Sequence, residues 1–269
     1  MTTSSSTEQA STLDLRRDGP VGRIILNRPD VRNAFNDGVI AELTRAFTEF
    51  GADPSLRVIV LGGHGKVFCA GADLNWMRAM AGYSHEQNLA DAQALETMLW
   101  TAWQCPIPVV GRIHGDCYAG GMGLAAVCDV LVASDNASFC LSEAKLGLLP
   151  ATISPYVIRA MGEQAARRYF VTAERFSAAQ AHAIGMVHEL CTADQIDERV
   201  EAIAAAIVAN GPMAVRACKR LVKDVAGRAI DEPLRLDTAR RIADIRASDE
   251  GREGLQSFLS KRAPGWHLG

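Results

Sequence analysis

The sequence holds no C-x-x-C pair. Its seven cysteines, at 69, 105, 117, 128, 140, 191 and 218, form neither an even set nor a ligand spacing. That pattern excludes a disulfide frame and a zinc site, and reads as reduced, mostly buried thiols of a cytosolic protein. Basic charge is not in excess: 28 Lys and Arg face 31 Asp and Glu, for a net charge of −3. A nucleic-acid partner needs a basic face, so none is expected. No apolar run reaches the ~18 residues of a membrane span, and Asp129 interrupts the best candidate, so no membrane partner is expected either. The dinucleotide fingerprint G-x-G-x-x-G, the phosphate loop G-x-x-x-x-G-K-[ST] and the nucleophile elbow G-x-S-x-G are absent. His64, His85, His182, His188 and His267 show no ligand spacing, and His114, at a strand end, reads as a core hydrogen-bonder, so no metal is expected. The opening MTTSSSTEQASTLD has neither an apolar core nor an early arginine. It reads as neither a secretory signal nor a convincing transit peptide, and residues 1–12 are expected to be a disordered leader.

What remains is an ordinary globular composition, 48% hydrophobic and 22% charged, in a 269-residue chain able to bury a large core without staples. VGRIILN (21–27) reads as a strand, and 37–50 as a helix with Ile40, Leu43, Phe47 and Phe50 on one stripe. RVIVLGG (57–63), IPVVGRIHG (107–115) and DVLVAS (129–134) read as buried strands, with SFCLSE a fourth. Helices are expected from near Leu74, over 87–103, and after the glycines at 120–123. This alternation predicts an α/β protein. After residue 193 the strands stop. Ile196, Val200, Ile203 and Ile207 keep helical spacing, as do Leu236, Ala239, Ile242 and Ile245. A core domain over 13–192 and a helical region over 193–269 follow, the latter either covering a neighbouring chain or capping the core.

Two loops share one design. Ala70-Gly71-Ala72-Asp73 and Ala119-Gly120-Gly121 each follow a strand and open a helix. The first N–H groups of a helix lack intrahelical partners, and small residues let a ligand oxygen approach them. Two such loops facing each other would hold a developing oxyanion; close packing is the plain alternative. Glu143, in FCLSEAKLGLLP, is a lone carboxylate in apolar surroundings. Such a setting raises the pKa and suits a general acid and base. The alternative there is an ion pair with Lys145. Asp116 reads as a turn stabiliser, Asp129 as an anchor for the next strand, and Trp76 and Met77 as packing residues beside a possible pocket.

The stretches LNRPDVRNAF, FCAGADL, HGDCYAGGMGLAAVCD, FCLSEAKLGLLPATISPYV and FSAAQAHAIGMVHEL, in this order, resemble the crotonase (enoyl-CoA hydratase/isomerase) superfamily from about residue 13 to the end. The ATISPYV version is similar to the branch acting on methylglutaconyl-CoA-like, branched acyl substrates. The resemblance implies a spiral of ββα repeats with a C-terminal helical trimerisation region, assembled as a homotrimer or dimer of trimers. It places the oxyanion hole for an acyl-CoA thioester at the N–H groups of Ala72 and Gly120. Coenzyme A contacts fall on Arg28, Arg32, Ala70, Asp73 and Leu74, and on Phe258 and Lys261, often from the next subunit. Coenzyme A is then part of the substrate, and no separate cofactor is implied. Many hydratases of the family use two glutamates: Glu143 matches the second, but the first falls on Gly123. The resemblance therefore implies a cytosolic acyl-CoA hydratase, with a Δ3,Δ2-enoyl-CoA isomerase as the alternative that a single carboxylate favours. A non-catalytic CoA-binding or RNA-binding module is the alternative from another class, and the mild negative charge gives RNA no support.

Overall fold

The computed structural model describes residues 11–267. The leader expected at 1–12 lies outside the described residues except for Ser11 and Thr12, which both bond the Glu42 carboxylate. The chain then winds through successive turns of similar plan: a strand in a large sheet, a short crossing strand or bridge, then a helix. The first turn holds β1 (Leu13–Asp18), β2 (Val21–Leu26), a bridge at Phe35 and α1 (Asp37–Ala52). The second holds β3 (Val58–Gly63), bridges at Cys69 and Ala72, α2 (Leu74–Met80) and α3 (His85–Gln104). The third is β4 (Val109–Ile113), β5 (Cys117–Tyr118) and α4 (Gly120–Ala126). The fourth is β6 (Val130–Ser134), β7 (Ser138–Cys140), a 3-10 turn over Glu143–Leu146, α5 (Ser154–Met161) and α6 (Glu163–Thr172). β8 (Arg175–Ser177), α7 (Ala178–Ala183) and β9 (Glu189–Cys191) close the sheets. Four helices follow: α8 (Ile196–Val208), α9 (Pro212–Val225), α10 (Glu232–Ala247) and α11 (Asp249–Leu259).

The large sheet has strand order β1-β2-β3-β4-β6-β9, antiparallel only at β1–β2. β3 is buried along its whole length, and β4 nearly so. That is why their sequences read as continuous apolar runs rather than alternating ones. A small sheet, β5-β7-β8, lies across the spiral. On one face of the large sheet α1 buries Leu43, Phe47 and Phe50 into the main core. On the other, Ile196, Val200 and Ala204 of α8 pack on Val58, Val60, Val110 and Val132.

So the helical stripe at Ile196 and Val200 caps this chain's own sheet. The next one does not: Leu236 and Ile242 of α10, with Phe258 and Leu259 of α11, stay exposed. No single helix among the described residues is long and apolar enough to cross a membrane; α8 and α9 reach the length only together, across a bend of 106°. Five of the cysteines are buried, Cys191 is half-buried and Cys218 exposed. Burial pushes the Cys69 thiol up to about 12.

Candidate active site

Three segments distant in sequence run side by side. Cys69 pairs with Cys117 in a parallel bridge, and β5 pairs with β7 in parallel, Cys117 opposite Phe139 and Tyr118 opposite Cys140. Ala72, Gly120 and Glu143 each lie three positions beyond Cys69, Cys117 and Cys140. Because the segments share a direction, the three residues emerge at the same end of the small sheet. Adjacent strands lie ~4.8 Å apart. Two N–H donors, each ~2.9 Å from one shared oxygen, stand about that far apart.

Local backbone geometry presents each amide. Gly71 O accepts from Phe35 N at 2.7 Å, and Asp73 N donates to Phe35 O at 2.7 Å. The bridge thus uses the groups on either side of Ala72 and leaves the Ala72 N–H facing the other way. Gly71 has φ +90°, and a Cβ there would lie 2.8 Å from Ala119 Cβ and 3.6 Å from Gly120 N. The two loops touch at this point, and only glycine fits. Ala119 adopts φ 46°, rare for a residue with a side chain. Its N–H donates to Cys140 O at 2.8 Å, and its carbonyl accepts from Met122 N at 2.9 Å. Such a conformation costs ~1–3 kcal/mol, and these bonds hold it in place. The Phe35 ring packs against Gly120, where a Cβ would fall 2.9 Å from Phe35 Cε2. Among the described residues neither the Ala72 nor the Gly120 amide donates to a protein acceptor, and both residues are only half-buried.

Glu143 follows β7 and opens the 3-10 turn. Its Oε2 is buried with no hydrogen-bond partner. Burial pushes the carboxyl above its ordinary value, opposed by its own backbone N–H. Among the described residues it forms no ion pair, and Lys145 points into solvent. The alternative pairing with Lys145 is thereby set aside. Position 123 is a different matter. A Cβ on Gly123 would collide with Ile153 Cγ2 and lie 3.4 Å from Leu99 Cδ2. The place where the family often carries its first glutamate is filled by apolar side chains.

The residues expected to meet coenzyme A divide into three groups. Arg28 is turned inward: it donates to Ala34 O at 2.6 Å and to Asp73 Oδ2 at 2.9 Å. Asp73 is buried and caps α2, accepting from Asn75 N at 2.8 Å. These two serve the loop that presents Ala72. Arg32, exposed and paired with Asp116 at 3.0 Å, joins half-buried Ala70 and exposed Leu74 around the mouth. Ala70 N donates to Arg32 O at 3.0 Å. Phe258 and Lys261 are not brought there by this chain, since α11 packs mainly on α10 and α9. Asp129 anchors as read, accepting from Val109 N at 2.8 Å and Lys219 at 2.6 Å. Trp76 packs on the core, with Nε1 donating to Asp91.

Three residues were given no role from sequence. Phe35 touches both amide loops. Buried Asn33 donates from Nδ2 to His64 O at 2.9 Å and Val67 O at 2.8 Å, tying the 28–35 turn to the second spiral turn. Ile153 fills the space at Gly123. An aromatic inside LNRPDVRNAF was a readable signal for Phe35; nothing local distinguishes Ile153.

A spiral that aligns two unpartnered amides with a buried carboxylate defines an enzyme site able to stabilise an oxyanion and move a proton. The chain belongs to the enoyl-CoA hydratase/isomerase family, which it matches over residues 16–268. It is 31% identical over 257 residues to the 2,3-dehydroadipyl-CoA hydratase of Escherichia coli, covering 94% of this chain and 98% of that one. It is 32% identical over 247 residues to the mevalonyl-coenzyme A hydratase sidH of Aspergillus fumigatus, covering 90% of each. The crystal structure of an enoyl-CoA hydratase from Shewanella pealeana superposes with a TM-score of 0.93 at 40% identity, covering 96% of this chain and 97% of that one.

Proposed function

We propose that this enzyme is an acyl-CoA hydratase. It adds water to, or removes it from, a 2-enoyl-CoA, with a branched, methylglutaconyl-CoA-like acyl group as substrate. The thioester oxygen sits between the N–H groups of Ala72 and Gly120. Glu143 takes a proton from water as the oxygen of that water bonds C3. The electron pair of the double bond moves to an enolate whose oxygen the two amides hold, and Glu143 returns the proton to C2. One donor of this kind contributes ~3 kcal/mol to the transition state. Coenzyme A enters as part of the substrate, and no other cofactor takes part. The exposed apolar residues of α10 and α11 support assembly as a homotrimer or dimer of trimers, with Phe258 and Lys261 reaching a neighbour's coenzyme A.

The observation that carries this reading is the unpartnered, buried Oε2 of Glu143 at the end of the segment beside Gly120. The test is turnover of crotonyl-CoA and 3-methylglutaconyl-CoA by wild type and Glu143→Gln. A loss of ~10²–10⁴ in kcat supports the role, and equal rates remove it. The filled space at Gly123 favours a second reading: Glu143 alone moves a proton from C2 to C4, as in a Δ3,Δ2-enoyl-CoA isomerase. Turnover of a 3-enoyl-CoA without uptake of labelled water distinguishes it.

A further inference from the structure

A cavity of about 800 Å³ is lined by none of Ala72, Gly120 and Glu143. It opens between α3, the start of α5 and α9, and its volume is that of a small-molecule site. Its wall is cationic although the chain carries a net charge of −3. Arg159, Arg216, Lys219, Arg220 and Lys223 face only two carboxylates, Glu96 and Asp224. Those charges cancel only in part within the cavity. Asp224 is held at 2.6 Å by Arg241, which is not part of the lining, and more loosely at 3.5 Å by Arg220, which is. Lys219 is spent on Asp129, outside this wall. Among the described residues Arg159 has no ion pair, and the Lys223 ammonium bonds only the Trp103 carbonyl.

The rest of the wall is aromatic. Trp100 is 50% exposed. The Trp103 and Tyr156 rings stand 5.7 Å apart, and Lys223 Nζ lies 4.6 Å from the centre of the Trp103 ring. A second cavity of about 550 Å³ adjoins this one and shares Trp103, Arg159, Lys219 and Lys223. Aromatic faces accept a flat heterocycle, and arginine forks accept phosphate oxygens. A wall carrying both, one beside the other, matches a ligand that is planar at one end and polyanionic at the other.

We propose that this cavity binds a nucleoside phosphate, at a site separate from the candidate active site. The base lies against Trp100 and Trp103, and the phosphates lie among Arg159, Arg220 and Lys223. The groups facing Lys223 are Lys219 and Asp224 on its own helix, Asp129 before β6, and Cys105 with the Trp103 carbonyl at the end of α3. Burial, then repulsion by Lys219, lower its pKa to about 8. Only the protonated ammonium attracts phosphate, so affinity should fall as pH rises through that value.

The experiment is calorimetric titration of the full-length protein with ADP at neutral pH, alone and with saturating S-butyryl-pantetheine, which carries the thioester without a nucleotide. Inorganic phosphate is titrated in parallel. ADP should bind in both conditions and more weakly at pH 9, and phosphate alone should bind at least tenfold more weakly. Arg159→Glu and Trp100→Ala, both at exposed positions, should each weaken ADP at least tenfold while leaving the thermal melt unchanged. ADP binding that neither Arg159→Glu nor Trp100→Ala weakens places ADP outside this cavity, as at the nucleotide end of the thioester site, and overturns the proposal. Phosphate binding as tightly as ADP overturns the nucleoside assignment, and no ADP heat overturns the whole. None of these outcomes depends on whether the enzyme hydrates an enoyl-CoA.

Discussion

Ile153 occupies the space that a side chain at residue 123 would need: a Cβ on Gly123 meets Ile153 Cγ2 in collision and lies 3.0 Å from Ile153 Cβ. A two-carboxylate site therefore cannot be restored by one substitution. Gly123→Glu overpacks α4 and buries an unpaired carboxylate, for an expected cost of at least ~3 kcal/mol. Ile153→Ala alone leaves a cavity and costs ~2–5 kcal/mol. Together they relieve one another, so the double variant should be more stable than the sum of the singles by ~1 kcal/mol or more. Urea denaturation of the four proteins checks this, and strict additivity would show that the two side chains do not compete for space.

In the proposed role as base, Glu143 sets activity against stability. Burial raises its folded pKa above the ordinary carboxylate value. The stability it contributes is fully present below the unfolded pKa and is lost as pH rises through the folded one. Glu143→Gln removes that loss, so the variant should be at least as stable as wild type at pH 7, with the advantage vanishing under acid conditions. The same shift acts on catalysis in the other direction. As a base Glu143 must be ionised, so the acidic limb of wild-type kcat/KM should lie above the ordinary carboxylate range. Thermal melts and a pH–rate profile measure the two effects.

What the sequence made legible, and what it hid, follows from element length. Val58–Gly63 and Val109–Ile113 announce themselves because burial on both faces demands continuous apolar residues. The small sheet does not. β5 has two residues and β7 three, and Cys69 joins them through a single bridge. These contacts are made by backbone, so composition carries no trace of them, yet they align Ala72, Gly120 and Glu143. The glycine loops and the lone carboxylate could be picked out individually; their register could not. Arg28 and Asp73 show the converse. The family resemblance implies coenzyme A contacts for them, and the fold pairs their side chains with each other. For α8 the helical spacing was readable, while what its stripe covers depends on strands more than sixty residues earlier.

Gly71→Ala tests the meeting of the two loops. The substitution meets a φ of +90°, and its methyl would press within 2.8 Å of Ala119 Cβ. Because the contact lies between the two amide-bearing turns, any relief moves Ala72 away from Gly120. The expected result is a fall in kcat of ~10²-fold, comparable to losing one oxyanion donor. Global stability should fall by only ~1–3 kcal/mol, the usual cost of such a strained position. Steady-state kinetics beside circular dichroism melts separate the two. A variant that folds and turns over normally would mean that the amide spacing is not critical.

The Arg28–Asp73 pair gives a last prediction, about the frame rather than the chemistry. Burial opposes the Asp73 charge, but the N–H of Asn75, the Arg28 guanidinium and the N–H of Trp76 outweigh it and lower the pKa. The stability from this group is present above its ordinary value of 3.8 and is lost as pH falls through the lower folded pKa. Arg28→Ala leaves Asp73 buried beside α2 without its cation. Breaking a buried pair on one side costs ~3–5 kcal/mol, whereas removing both charges costs less because no unpaired ion remains. Arg28→Ala with Asp73→Asn should therefore be more stable than Arg28→Ala at pH 7, and the gap between them should close under strong acid. Denaturant midpoints at pH 7 and pH 3 test both halves. A double variant less stable than the single one at pH 7 would show that Asp73 acts chiefly through its cap on α2 and not through Arg28.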